Sequence, residues 1–151
     1  MLRNLTLRFA AGGIYCIMGP SGCGKTTLLH ILLGICAPDS GVRSCARGIS
    51  FAPVFQEDRL CENLSVGGNI RLAARAALPA HTLHDALSAV GMGAVASSPV
   101  HTLSGGMKRR VALLRALLSG GGVLVFDEAF KGLDDDTRRR AMDFTRAARA
   151  G

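Results

Sequence analysis

The chain contains no tryptophan, one tyrosine and six phenylalanines. Flat rings on which unpaired bases could stack are therefore scarce, which weighs against a single-strand nucleic-acid surface. Long apolar runs are missing too. None approaches the roughly 18 residues of a membrane-spanning helix. The most apolar region, 111–126, is broken by Arg115 and by Gly120, Gly121 and Gly122. The opening stretch MLRNLTLRF has no apolar core of the kind a secretory leader carries, so a cytoplasmic location is expected. Cysteine is limited to Cys16, Cys23, Cys36, Cys45 and Cys61. An odd number without a CxxC pair disfavours a disulfide framework or a zinc site and leaves reduced thiols as the natural reading. Acids are in the minority, 11 against 18 lysines and arginines. The net charge of +7 would suit nucleic acid, an anionic membrane surface or nucleotide phosphates, but solvated helix faces explain it more simply.

What is present is a chain of 151 residues, 48% hydrophobic and 19% charged. It is long enough for one domain with a buried core and too apolar for disorder. Leu5, Leu7 and Phe9 alternate with polar residues, predicting a half-buried strand, and 14–18 reads as a buried parallel strand. A glycine-rich loop follows, then a helix over 25–33 closed by Gly34. Residues 38–41 signal a turn. Residues 49–55 read as a strand with Pro53 badly placed in its middle, and the alanine-rich stretch 67–79 contains a helix. Thr82 and Asp85 have capping-box spacing and predict a helix start, whereas 97–99 is a loop. Residues 108–118 read as a helix with Val111, Leu114, Arg115 and Leu118 along one side, and 123–126 as a buried strand. Asp134, Asp135 and Asp136 suit the start of a last helix, and Arg146 and Arg149 its end. Alternating strands and helices give an α/β class with a mainly parallel sheet. The chain reads as a single domain over 1–151, with a core of approximately 1–57 and 109–151 around a helical insertion of approximately 58–108.

Three motifs carry chemistry. Gly19, Pro20, Ser21, Gly22, Cys23, Gly24, Lys25 and Thr26 match GxxxxGK[ST] at every fixed position. Gly22 and Gly24 let the backbone turn tightly against a phosphate. Successive amides at a helix N-terminus then make an anion-binding nest. Lys25 adds a positive charge, and the Thr26 hydroxyl suits Mg²⁺. In 123–128, VLVFDE, a buried strand delivers Asp127 and Glu128 at its C-terminal end, where α/β sheets bind ligands. Asp127 could hold Mg²⁺ through water, and Glu128 could polarise an attacking water as general base. Ser104, Gly105 and Gly106 precede the 108–118 helix. Physics alone favours a plain N-cap by Ser104 there, with a second phosphate cradle as the other reading.

The order and spacing of the phosphate loop, Gln56 within FQEDRL, Pro99 before LSGGM, VLVFDE and then Leu133-Asp134 resemble the nucleotide-binding subunit of ATP-binding cassette (ABC) transporters. The local wording is similar to bacterial importer ATPases of the nitrate, sulfonate and taurine type. The resemblance implies a P-loop NTPase core with a small helical insertion subdomain. It also implies two cassettes, a homodimer or a pair, that sandwich two ATP molecules head to tail. Carried over, residues from Gly19 through Thr26 to Thr27 bind phosphate and Mg²⁺. Lys25, Gln56 and Glu128 serve catalysis, with Gln56 sensing Mg²⁺ and the attacking water, while Thr26, Gln56 and Asp127 serve the metal. Ser104, Gly105 and Gly106 would clamp the γ-phosphate held by a second copy, and Asp134 would touch the opposite site. The implied partner is a transmembrane permease docked near the insertion and Gln56, with the chain peripheral on the inner face of the cell membrane.

Met107 stands where the family usually has glutamine. Tyr15 is in the wrong place for the adenine-stacking aromatic, and His30, His81, His84 and His101 all precede the acids, so none fills the place of the family's switch histidine. The chain therefore reads as a shortened cassette or a fragment of a longer product. ATP binding and hydrolysis in a bacterial importer is the leading expectation, and a nucleotide-binding switch with little turnover is the alternative. The basic runs 108–110 and 138–140 raise DNA binding, since DNA-repair ATPases share this architecture. The short interval between Lys25 and Ser104 leaves no room for their coiled-coil insertions, and no nucleic acid is expected. Cys23, inside the phosphate loop, is a candidate reactive thiol.

Overall fold

A computed structural model describes residues 2–150, with side chains through 147. It contains two compact units, Met1–Ala46 and Arg47–Gly151. Among the described residues the first holds one helix, α1 (Lys25–Leu33). Gly34 ends it in a left-handed conformation, with the Gly34 amide donating to Ile31 and the Ile35 amide to His30. These paired bonds satisfy the last carbonyls of the helix, as the glycine at this position leads one to expect.

The two strands expected in this unit are not formed. Ile14 is 100% exposed and Met18 86% exposed, and Leu5, Leu7 and Phe9 are also open to solvent. A strand needs a neighbour to complete its backbone bonds, and the described residues of this unit form no strand. Tyr15 instead folds back, its ring 5.0 Å from that of Phe9 in an edge-on contact. Its hydroxyl accepts the Ala10 amide at 2.7 Å.

The second unit carries β1 (Phe51–Val54), α2 (Val66–Ala73), α3 (Ala80–Ala89), α4 (Gly105–Leu117), β2 (Val123–Phe126) and α5 (Asp135–Ala150), with short 3₁₀ turns at Gly93–Val95 and Val100–Thr102. β1 and β2 pair in parallel, Phe51 opposite Val123 and Val54 opposite Phe126. Pro53 is accommodated because the ladder uses its neighbours. Val123 donates to Ser50 and Asp127 to Val54, so the alternating backbone turns the nitrogen of Pro53 away from β2. β2 is half-buried along its length rather than fully buried.

α4 is the central element. Val111 and Leu114 pack with Val66 and Ile70 of α2 and Leu83 and Leu87 of α3. Leu113 and Ala116 pack on another side with Ala52, Val54, Leu133 and Ala141. The helix starts at Gly105, one turn before the expected Lys108. α3 starts at Ala80, directly after Pro79. Thr82 is then already helical and forms no capping box, because the helix starts two residues before it, with Pro79 at the N-cap position. Fully buried Asn69 fastens the segment before α2, accepting the Cys61 amide at 2.8 Å and donating to the Cys61 and Ser65 carbonyls. The class is α/β, a parallel pairing flanked by helices.

Candidate functional site

In the first unit the glycine loop runs straight into α1. Gly22 and Gly24 adopt φ of 78° and 102°, a region that other residues enter only at a cost. Gly24 is also the N-cap and is buried against Leu2, whose side chain lies 3.1 Å from where a Cβ would stand. No side chain caps this helix. Its first amides, those of Lys25, Thr26 and Thr27, have no intrahelical acceptor, so the positive end of the helix faces the loop. The Lys25 ammonium folds over the same loop, donating to Gly19 at 2.9 Å and Pro20 at 2.8 Å. Cys23 is half-buried, its sulfur 4.0 Å from that ammonium. Ser21, Thr26 and Thr27 are exposed. The loop therefore gathers amides, a helix N-terminus, one ammonium and accessible hydroxyls, a donor set suited to an oligophosphate.

In the second unit a cleft of about 380 Å³ is lined by Gln56, Asp58, Gly105, Gly106, Arg109, Glu128, Lys131 and Gly132. It brings together three of the sequence-derived elements: the glutamine after β1, the glycines at the start of α4 and the second acid after β2. Ser104 caps α4, its hydroxyl accepting the Met107 amide at 3.3 Å, while Gly105 and Gly106 occupy the first turn. Met107 packs toward the helical core. Asp127 is half-buried where β2 ends. Glu128 follows at φ 51°, and its carboxylate accepts the Lys131 ammonium at 2.8 Å.

Asp134 lies outside the cleft lining and caps α5, accepting the Thr137 amide at 2.9 Å. That amide, with the Thr137 hydroxyl, holds the Asp134 carboxyl below the usual aspartate range. Arg115, whose Nη atoms donate to the Asp58 and Arg59 carbonyls, is pushed below the ordinary arginine value by burial, against the opposing pull of Cys61 and Asp58.

The basic run 108–110 is committed inside the protein. Lys108 pairs with Glu62 at 3.0 Å, and Arg110 donates to the Val90 carbonyl at 3.0 Å. Arg109, only 6% exposed, reaches the cleft and was not among the expected site residues. The signal for it lies in the helix period. Ala112, Leu113 and Ala116 stand three, four and seven positions on, so Arg109 occupies an apolar stripe.

A family model described as "ABC transporter" matches residues 2–131. An aliphatic sulfonates import ATP-binding protein of Pseudomonas savastanoi is 37% identical over 95% of this chain and 60% of its own length. A sulfate/thiosulfate import ATP-binding protein of Chromobacterium violaceum is 38% identical over 94% of this chain and 42% of its own. The chain thus spans about half the length of the curated relatives it matches. Among solved structures, a dimeric post-hydrolysis state of an ATP-binding cassette bound to ADP and Pi superposes with a TM-score of 0.77 at 24% identity, over 95% of this chain and 72% of that one. That likeness fixes the fold as the one its loops and parallel pairing suggest. The chain belongs to the ABC transporter family.

Proposed function

We propose that this chain binds and hydrolyses ATP as the motor part of a bacterial ABC importer. The observation that carries the reading is the cleft where Gln56, Gly105, Gly106 and Glu128 meet, in a chain that also holds a complete phosphate loop. Lys25 and the first amides of α1 take the β- and γ-phosphates. By the family resemblance, Thr26, Gln56 and Asp127 would be the residues that offer oxygens to Mg²⁺. The described residues hold no group of three or more His, Cys, Asp or Glu that could bind a metal. A hydroxyl, a carboxylate and a side-chain amide fit Mg²⁺, which takes few protein oxygens and completes its shell with phosphates and water. When bound, it neutralises phosphate charge. Glu128 takes a proton from water as the water oxygen bonds to the γ-phosphorus. The bond from that phosphorus to the bridging oxygen breaks, leaving ADP and inorganic phosphate.

Ser104, Gly105 and Gly106 present a second helix N-terminus, for the γ-phosphate held by another copy, with Asp134 at the opposite site. In this reading 58–108 serves as the helical subdomain of a single cassette whose core is 1–57 and 109–151. A transmembrane permease docks beside it, so the chain works at the inner membrane face. Names such as the sulfonate and sulfate importers belong to the relatives, and the imported solute is set by other subunits.

Steady-state hydrolysis of MgATP tests the reading. Glu128→Gln is expected to lower kcat by about 10²-fold or more while nucleotide binding stays within a few-fold. Equal turnover by the variant, or none by the wild type despite tight binding, contradicts it, and the second outcome favours a switch with little turnover.

A further inference from the structure

Arg109 sits one turn into α4 beyond Gly105 and Gly106, and its guanidinium reaches two other segments at once. Nη1 donates to the carbonyls of Phe55 and Gln56 and to the Asp58 carboxylate, the last at 3.1 Å. Nη2 donates to the carbonyls of Asp127 at 3.3 Å and Glu128 at 2.6 Å, and Nε to Ala129 at 2.8 Å. Five N–H groups in one plane thus meet six acceptors, all on the two segments that carry Gln56 and Glu128. Arginine alone among the side chains has this donor count in a rigid fork. Burying its charge would be costly without compensation, which Asp58 supplies.

We propose that Arg109 is a positioning residue that fastens the Gln56 segment, the Glu128 segment and the start of α4 into one arrangement. Five of the six acceptors are backbone carbonyls, and the sixth is the Asp58 carboxylate. Arg109 acts through the backbone of these segments, so the water-directing amide of Gln56 and the base Glu128 keep a fixed relation to the glycines at the head of α4. The proposal deepens the hydrolase reading and rests on it for its catalytic part. The fastening itself is a statement about three segments and holds or fails separately.

The test compares the full chain with Arg109→Gln, Arg109→Lys and Asp58→Asn by hydrogen exchange and by MgATP turnover. In Arg109→Gln, amides of 55–58 and 127–131 are expected to exchange together about tenfold faster, while those of α2 and α3 stay unchanged. A displacement near 1 Å in a reacting group can cost up to about 10²-fold. On that scale kcat is expected to fall about tenfold or more, with KM for MgATP within about threefold. Arg109→Lys keeps the charge without the fork and is expected to recover only part of both effects. If Arg109→Gln fails to fold, Asp58→Asn, which removes only the countercharge, carries the measurement and should loosen both segments to a lesser degree. Loosening of one segment alone, equal loosening of α2 and α3, or full rescue by lysine overturns the proposal. Paired loosening in a chain without wild-type turnover keeps the fastening and rejects the hydrolase reading.

Discussion

The Lys25 ammonium donates to the Gly19 carbonyl at 2.9 Å, so the loop holds its own cation in place. In the proposed mechanism MgATP draws that ammonium from the carbonyls of Gly19 and Pro20 onto phosphate oxygens. A charged hydrogen bond is worth about 1.5–3 kcal/mol, so Lys25→Ala should weaken MgATP binding by about 10- to 100-fold, as read by calorimetric titration. Unchanged affinity would remove Lys25 from the phosphate site.

Cys23 lies half-buried within the same loop, whereas Cys16, Cys36, Cys45 and Cys61 are exposed. MgATP is expected to slow its alkylation while leaving the other four thiols labelled at their usual rates. Peptide mapping after a timed pulse of a thiol reagent separates them. Equal labelling of Cys23 with and without nucleotide would count against the assignment of the loop.

The cap on α5 should respond to acid. The Asp134 carboxyl is depressed below its usual range by the Thr137 amide and hydroxyl. A depressed folded-state pKa means stability that is present above the ordinary aspartate value of about 3.9 and lost as pH falls through the folded value. Asp134→Asn retains a capping oxygen but cannot titrate there. Melting curves across the acid range should therefore show the wild type losing its advantage over the variant as pH drops. Parallel curves would mean that the cap does not titrate.

Two leucines calibrate the helical core. Leu114 on α4 is fully buried among residues of α2 and α3, and Leu72 on α2 is 65% exposed. Leu114→Ala is expected to cost about 2–5 kcal/mol by urea unfolding, whereas Leu72→Ala should stay within about 0.5 kcal/mol. Similar losses at both positions would contradict the packing described here.

Local geometry was legible in the sequence where contiguous residue types fix it. The glycine loop before α1, the Ser104 cap and the acids after β2 are all local features, and a local feature can be read from spacing. Even Pro53, which looked misplaced, is explained by one alternation of the ladder. The expected strands at 5–9 and 14–18 failed for the opposite reason. Their apolar pattern records a propensity, but pairing depends on a distant neighbour, and Ile14 and Met18 remain in solvent. Arg109 was missed because its acceptors come from 55–58 and 127–129, segments that are far from it in sequence and that only folding brings together. In a run of three basic residues it looks like surface charge, and only its place on the apolar stripe of α4 sets it apart.

The central claim is that the glycines at the head of α4 complete a nucleotide site on a second copy. The most direct measurement is the size in solution of Glu128→Gln with and without MgATP, since loss of the base should trap the ATP-bound pair. An ATP-dependent dimer is expected, and it should be abolished by adding Lys25→Ala or Ser104→Arg. A species that stays monomeric while binding ATP tightly would contradict the account and leave a phosphate loop without a working cassette.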